Sequence, residues 1–296
     1  MKIRLIHNPR SGPARRQRAV CERLRAALAA QGFAGASDQT RGPGDATRLA
    51  REAVAAGCTH VVAVGGDGTV NEVAAALAGT AATLAIVPAG SGNGLARHLG
   101  IPRDPAKALT LLQPGRGKIE AIDTATANGH FFCNAMGFGF DADVAARFCL
   151  QPRRGLGGYL RAAWRAWRER APESCRIESA SGSWTQDVLL LAVANSDQYG
   201  NDVRIAPGAG VRDGALDLVA ISPVGAGGLV LLLARLATGK LLRSPRVRHA
   251  RAAEFRLTRL RAGLIHLDGE VRATAAEIAV CVQAGNLRVL LPKARG

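Results

Sequence analysis

The sequence predicts a chain of two parts: an α/β half with a parallel sheet wrapped by helices, then a mostly β half. Three observations predict it. Up to about Asp123, segments patterned as strands alternate with segments patterned as helices. After Asp123, short strand-like runs follow one another with few helices between them. The chain has 296 residues, enough for two cores.

Lys2–His7 reads as a buried strand and Asn8–Gly12 as a turn. Pro13–Ala30 has the pattern of an amphipathic helix, stopped by Gly32. Pro43–Ala56 is a second helix, with proline near its start and Gly57 just past its end. A valine-rich strand at His60–Val64, a helix at Val70–Ala78 ending at Gly79 and a strand at Thr83–Val87 complete the first half. In the second half, strands are expected at His130–Ala135, Cys175–Ser179, Asp187–Ala194, Ala215–Ile221, Glu254–Leu260, Leu264–Leu267 and Glu277–Val282. Helices interrupt at about Ala142–Phe148, Gly157–Arg168 and Ala226–Leu241.

Composition narrows the function classes. No apolar leader follows Met1, and the longest apolar run, Leu229–Ala234 with its flanks, is shorter than the roughly 18 residues of a membrane span. Six scattered cysteines form no CxxC pair or metal spacing, which suits reduced thiols in a cytoplasmic protein. The net charge of +16 comes almost wholly from arginine; it favours anionic partners, and the alternative is a solvated surface of arginine-biased composition. Basic residues cluster at Arg153 to Arg170, with Trp164 and Trp167, and at Arg243 to Arg251. Arginine with tryptophan on one helix suits a bilayer headgroup region. Without interleaved aromatics, a nucleic-acid partner is not expected.

Two glycine-rich turns follow strands. In Gly65-Gly66-Asp67-Gly68-Thr69-Val70-Asn71-Glu72 a helix starts directly after the turn, so its free N–H groups and positive dipole end suit a phosphate. The alternative is a tight strand–helix turn with Thr69 as N-cap. Asp67 is too acidic to cradle a phosphate and suits a metal ion or a reacting hydroxyl. Pro88-Ala89-Gly90-Ser91-Gly92-Asn93-Gly94-Leu95 lacks the third glycine of a dinucleotide fingerprint but suits a second phosphate-facing loop. Asp213-Gly214 and Asp268-Gly269 carry the hairpin signal, and a carboxylate at a hairpin tip can orient and deprotonate a hydroxyl. No HExxH or GxSxG exists, and the histidines read as structural or surface groups.

Taken in order, these segments resemble the diacylglycerol kinase catalytic-domain family, which includes bacterial soluble lipid kinases, sphingosine kinases and ceramide kinase. His7-Asn8-Pro9, Thr40, Gly65–Glu72, Pro88–Ala96, Gly139-Phe140-Asp141-Ala142, Ala206-Pro207, Asp213–Asp217 and Leu267–Glu270 carry the resemblance. It implies an α/β nucleotide-binding domain at 1–123, joined by a returning strand near Leu287–Leu291 within 285–296. A mostly antiparallel β-sandwich lipid-substrate domain follows at 124–284, with the active site in the cleft between the two.

The resemblance also implies that Asn8, Thr40, Gly65, Gly66, Asp67, Gly68, Thr69, Val70, Asn71 and Ser91 contact ATP. Asp268 matches the general base, with Glu270 beside it, and Asp67 competes for that role. Asp213, with backbone carbonyls of Gly210 and Ala215, resembles a structural Mg²⁺ site, while a second Mg²⁺ travels with ATP. Gly90-Ser91-Gly92-Asn93 is closer to the sphingosine kinase form, and Asp143, beside Asp141, falls where those enzymes hold an acid near the substrate amine. Tyr199-Gly200-Asn201 stands where many members carry a glycine triplet. These departures keep a sphingoid base open beside diacylglycerol. The expectation is therefore an ATP-dependent lipid kinase, cytoplasmic and peripherally bound to anionic membrane, with homodimerisation left open. The alternatives are a kinase of a soluble acceptor, as in NAD kinases, and a non-catalytic nucleotide- or lipid-binding regulator.

Overall fold

The computed structural model describes residues 2–11, 36–90, 92–149, 172–200 and 203–293, together with Glu22, Ala26 and Trp167. The helices expected at Pro13–Ala30 and Gly157–Arg168, and Ser91, lie outside those residues. The chain divides into two compact units. The first takes Met1–Thr124, Gly200–Asp202 and Ala284–Gly296, and the second Ala125–Tyr199 and Val203–Gln283.

In the first unit β1 (Ile3–His7) pairs in parallel with β2 (Ala36–Gln39) and β3 (His60–Gly65), and β3 with β4 (Thr83–Pro88). The strands β3 and β4 are buried along almost their whole length, which is why they read as continuous apolar runs. β4 gains one more parallel neighbour from the end of the chain, where Arg288 and Val289 of β18 (Glu277–Pro292) pair with Thr83 and Leu84. Leu287, Val289, Leu290 and Leu291 are buried there.

Helix α1 (Asp45–Ala55) buries Ala46, Leu49, Ala50 and Ala53 on one face. Its own N-cap, Gly44, offers no side chain; Glu72 supplies the acceptor, taking hydrogen bonds from the backbone N–H groups of Gly44, Ala46 and Thr47. Helix α2 (Asp67–Leu77) starts three residues before the expected Val70, with Gly66 as N-cap and Asp67 in its first turn. The short α3 (Gly94–His98) and α4 (Pro105–Leu109, capped by Asp104) follow β4. Strand β5 (Gly117–Ala127) then carries the chain into the second unit.

The second unit is an antiparallel sandwich. One sheet runs β14 (Val247–Ala252), β13 (Leu216–Ile221), β10 (Leu190–Ala194), β7 (Ala135–Gly139), β16 (Gly263–Leu267) and β17 (Glu270–Thr274). Opposite it, β15 (Glu254–Arg259) pairs with the start of β18 and with β8 (Glu173–Ser179), and β8 with β9 (Gly182–Val188). The short β6 (His130–Phe132) pairs with β5, while β11 (Gln198–Gly200) and β12 (Val203–Arg204) form a two-stranded sheet of their own.

Period-two alternation explains the two apolar layers. Leu191 and Val193 of β10 and Leu216, Leu218 and Ala220 of β13 pack with Ile177, Phe255, Leu257, Ile278 and Val280 of the opposite sheet. Leu190, Ala192 and Ala194, with Val219 and Ile221, face the other way and pack against Ile205, Ala206 and Leu232. Leu232 belongs to α6 (Ala226–Ala237), which follows α5 (Phe140–Cys149) in the chain and stops short of the expected Leu241. The run expected as one strand at Asp187–Ala194 is two, broken at Leu189. Asp213-Gly214 is a turn before β13 and not a hairpin, because β13 pairs with β10 and β14.

Candidate active-site elements

In the first unit the two glycine turns come together at the ends of β3 and β4. Their backbones approach so closely that a Cβ on Gly90 would lie 2.5 Å from the Gly66 Cα. Asp67 holds them in register: its Oδ2 accepts a hydrogen bond from the Asn93 N–H at 2.8 Å, and its Oδ1 from the Gly94 N–H at 2.6 Å. The expected partner of Asp67 was a metal or a hydroxyl; in the structure its carboxylate spans the loops and caps the start of α3. Asn93 closes the second turn through both ends of its amide, accepting from Gly90 N–H and donating to Gly90 C=O. It sits at φ +55°, a conformation asparagine tolerates. Arg97 Nε donates to Gly92 C=O.

The first turn is braced from β1. Asn8 Nδ2 donates to Thr69 Oγ1 at 3.0 Å, while Asn8 Oδ1 accepts from the Arg10 N–H. Ser11 Oγ accepts from the Gly66 N–H. Thr69 and Thr40 are buried, and the Thr40 N–H donates to His7 C=O. Val70 turns its side chain into the core and donates its N–H to Gly66 C=O, so neither group is available to a ligand. Gly65 stands tight against the Thr69 side chain, and Gly68 and Asn71 lie in α2. Since no side chain caps α2, its first-turn amides suit an anion.

In the second unit β16 and β17 form a hairpin whose tip is Asp268 at φ +50° and Gly269 at φ +88°, the geometry an Asp-Gly turn favours. The Asp268 carboxylate accepts backbone N–H groups of Cys133 at 2.7 Å, Asn134 at 2.8 Å and Ala135 at 2.9 Å. These three amides fix its orientation. Glu270 stands exposed opposite Leu267. Two residues before Asp268, buried His266 bonds Asp141 Oδ2 through Nε2 at 2.8 Å; Asp141 Oδ1 accepts the Ala142 N–H. This pair ties α5 to β16. Asp143 is exposed on α5.

Gly210, Asp213 and Ala215 do lie together: Asp213 Oδ1 accepts the Ala215 N–H at 3.2 Å, and a Cβ on Gly210 would lie 3.0 Å from Asp213 Oδ2. That oxygen, however, is in an ion pair with the Arg251 guanidinium. Both side chains of that pair are partly exposed, Arg251 at 48% and Asp213 at 34%. No cluster of three His, Cys, Asp or Glu side chains able to hold a metal occurs among the described residues. Among the described residues Cys58, Cys133, Cys175 and Cys281 form no disulfide, and burial pushes the Cys175 thiol up to about 12, which disfavours its thiolate at neutral pH.

An α/β unit with paired glycine turns after adjacent parallel strands stands on one chain with an antiparallel sandwich, and both parts match domains of a kinase family. The chain belongs to the diacylglycerol kinase catalytic-domain family. The diacylglycerol kinase catalytic domain matches residues 2–127, and the YegS C-terminal NAD kinase beta sandwich-like domain matches residues 134–291. A Pseudomonas aeruginosa protein named "probable lipid kinase YegS-like" is 37% identical over 278 residues, covering 92% of this chain and 90% of that one. A Pseudomonas fluorescens protein of the same name is 35% identical over 285 residues, covering 94% and 93%. Among solved structures, a diacylglycerol kinase from Bacillus anthracis str. Sterne superposes with a TM-score of 0.75 at 21% identity, covering 99% of this chain and 97% of that one. A second crystal structure from that organism gives 0.82 at 24% identity, covering 99% and 98%. No helix among the described residues is long and apolar enough to cross a membrane.

Proposed function

We propose that this kinase transfers the γ-phosphoryl group of ATP, taken up as its magnesium complex, to a hydroxyl of a membrane lipid such as diacylglycerol or a sphingoid base. The observation that carries the nucleotide side is the pair of glycine turns latched by Asp67. Phosphoryl transfer asks little covalent chemistry of a protein and much positioning, and backbone amides on rigid turns position phosphates without reorganising. The relatives named lipid kinases support the acceptor class. Asp268 is the group we assign to orient the acceptor hydroxyl and take its proton, because three amides hold it in one orientation. Asp67, which ties the two glycine turns together, is then a positioning residue. Asp141 and Asp143 remain the candidates on the acceptor side, with Ser91 on the nucleotide side.

The test is a mixed-micelle assay with radiolabelled ATP and a panel of diacylglycerol, ceramide and sphingoid bases. Asp268→Asn is expected to lower turnover by about 10²–10⁴-fold while nucleotide affinity by calorimetry stays within a few-fold. Wild-type turnover in that variant would move the base to Asp67, and no phosphorylated lipid across the panel would sink the acceptor class. Because the second domain's family description mentions NAD kinase, NAD belongs in the panel as a soluble acceptor.

A further inference from the structure

Helix α6 has an unusual outer side. It is seated on the sandwich by Leu232, with Leu236 packed partly against the same layer. Arg235, at the flank, turns back to donate to Arg243 C=O at 2.7 Å. Every exposed position of the helix is apolar, from Ala226 to Ala237, and its three large side chains are Val230 at 68%, Leu231 at 55% and Leu233 at 54% exposure. At 100° per residue these positions span an arc of about 160°, so the solvent side of the helix carries no polar group. A surface helix of a soluble domain ordinarily puts its charges there.

The chain on either side of this helix is basic. Between Ser222 and Ala253 the chain has six lysines and arginines and no aspartate or glutamate. Lys240, Arg243 and Arg246, just past the end of the helix, are all exposed. Trp167, which the sequence offered as a bilayer anchor, is unavailable: it is 6% exposed and packs edge-on against Phe140 at 6.4 Å.

We propose that the outer face of α6 is the bilayer-docking surface of this kinase, seated in the headgroup layer of an anionic membrane with Lys240, Arg243 and Arg246 on its phosphates. An apolar strip rimmed by lysine and arginine is what an anionic lipid surface binds. A second copy of the chain fits less well. A helix of 12 residues presents a strip about 18 Å long and about 10 Å wide, roughly 200 Å² against the about 800 Å² per partner of a stable interface. Two such basic rims would also repel across a two-fold axis. The inference deepens the lipid-acceptor reading, on which its biological sense rests.

Flotation with full-length protein and vesicles of phosphatidylglycerol and phosphatidylcholine tests it, alongside activity on a short-chain diacylglycerol dispersed as monomers. Val230→Asp with Leu233→Asp is expected to reduce vesicle partitioning at least tenfold and leave short-chain activity and the melting temperature unchanged. Arg243→Glu with Arg246→Glu should bring low-salt binding down to the level the wild type shows at high salt. Equal flotation of wild type and Val230→Asp/Leu233→Asp overturns the proposal. A wild type that does not float, and sediments as a dimer that the same pair of substitutions splits, overturns it in favour of a self-association face. Flotation that depends on α6, with no lipid phosphorylated in any dispersion, supports the docking face and sinks the acceptor reading instead.

Discussion

Asp67 shows what a residue-by-residue reading of the sequence reaches and what it misses. That an acid in a glycine turn does not itself bind phosphate follows from charge alone. Its partners, the amides of Asn93 and Gly94, lie 26 and 27 positions away, and only the packing of β3 beside β4 brings them within reach. The Asp141–His266 pair, separated by 125 positions, is hidden for the same reason. Hairpin chemistry is local, so the Asp268-Gly269 turn was legible; its three amide donors from Cys133 to Ala135 were not. Gly90→Ala would drive a methyl group into the Gly66 Cα and part the two turns. We expect nucleotide affinity to fall at least tenfold by calorimetry, with Asp268 chemistry otherwise intact.

His60 gives a pH test at the same scale. Burial is the first cause that holds its pKa below the ordinary 6.5, so the folded chain prefers the neutral ring. The sign follows: the contribution is present above the unfolded pKa and is lost as pH falls, because the unfolded chain takes up a proton the folded chain resists. Between about pH 7.5 and pH 5, His60→Gln should lose less melting temperature than wild type.

At the scale of elements, the parallel strands and their order in the chain were legible because buried strands are uninterrupted apolar runs. Strands β2, β5, β9, β14 and β17 were missed, since they carry charged or small residues at edges and crossings where the apolar signal fades; the central, buried β7 and the short β11 and β12 were missed as well. The cap of α1 was also invisible. Glu72 stands in a segment that reads as phosphate chemistry, yet its carboxylate is spent on the amides of Gly44, Ala46 and Thr47. Hydrogen bonds to a charged group are worth about 1.5–3 kcal/mol in total effect when one is removed. Glu72→Ala should therefore destabilise the first unit by about 2 kcal/mol in urea unfolding, and its activity loss should follow the unfolded fraction.

For the whole molecule, division into two units followed from the change of pattern near Asp123, and the returning strand was an expectation of the resemblance alone. Residues 284–292 supply four buried side chains beside β4. A fragment ending at Thr124 should then fail to melt cooperatively by calorimetry. Restoring 284–296 through a flexible linker should recover a sharp transition; a cooperative melt of the shorter fragment would show that β4 closes the sheet by itself.

The same strand sets an order of events in the cell. Because the ribosome delivers β1 to β4 well before residues 284–292, which pair beside β4, the sheet of the first unit stays open until that later segment has been made. A chain stalled between them leaves the flank of β4 unpaired, an open strand edge of the kind that invites wrong pairing.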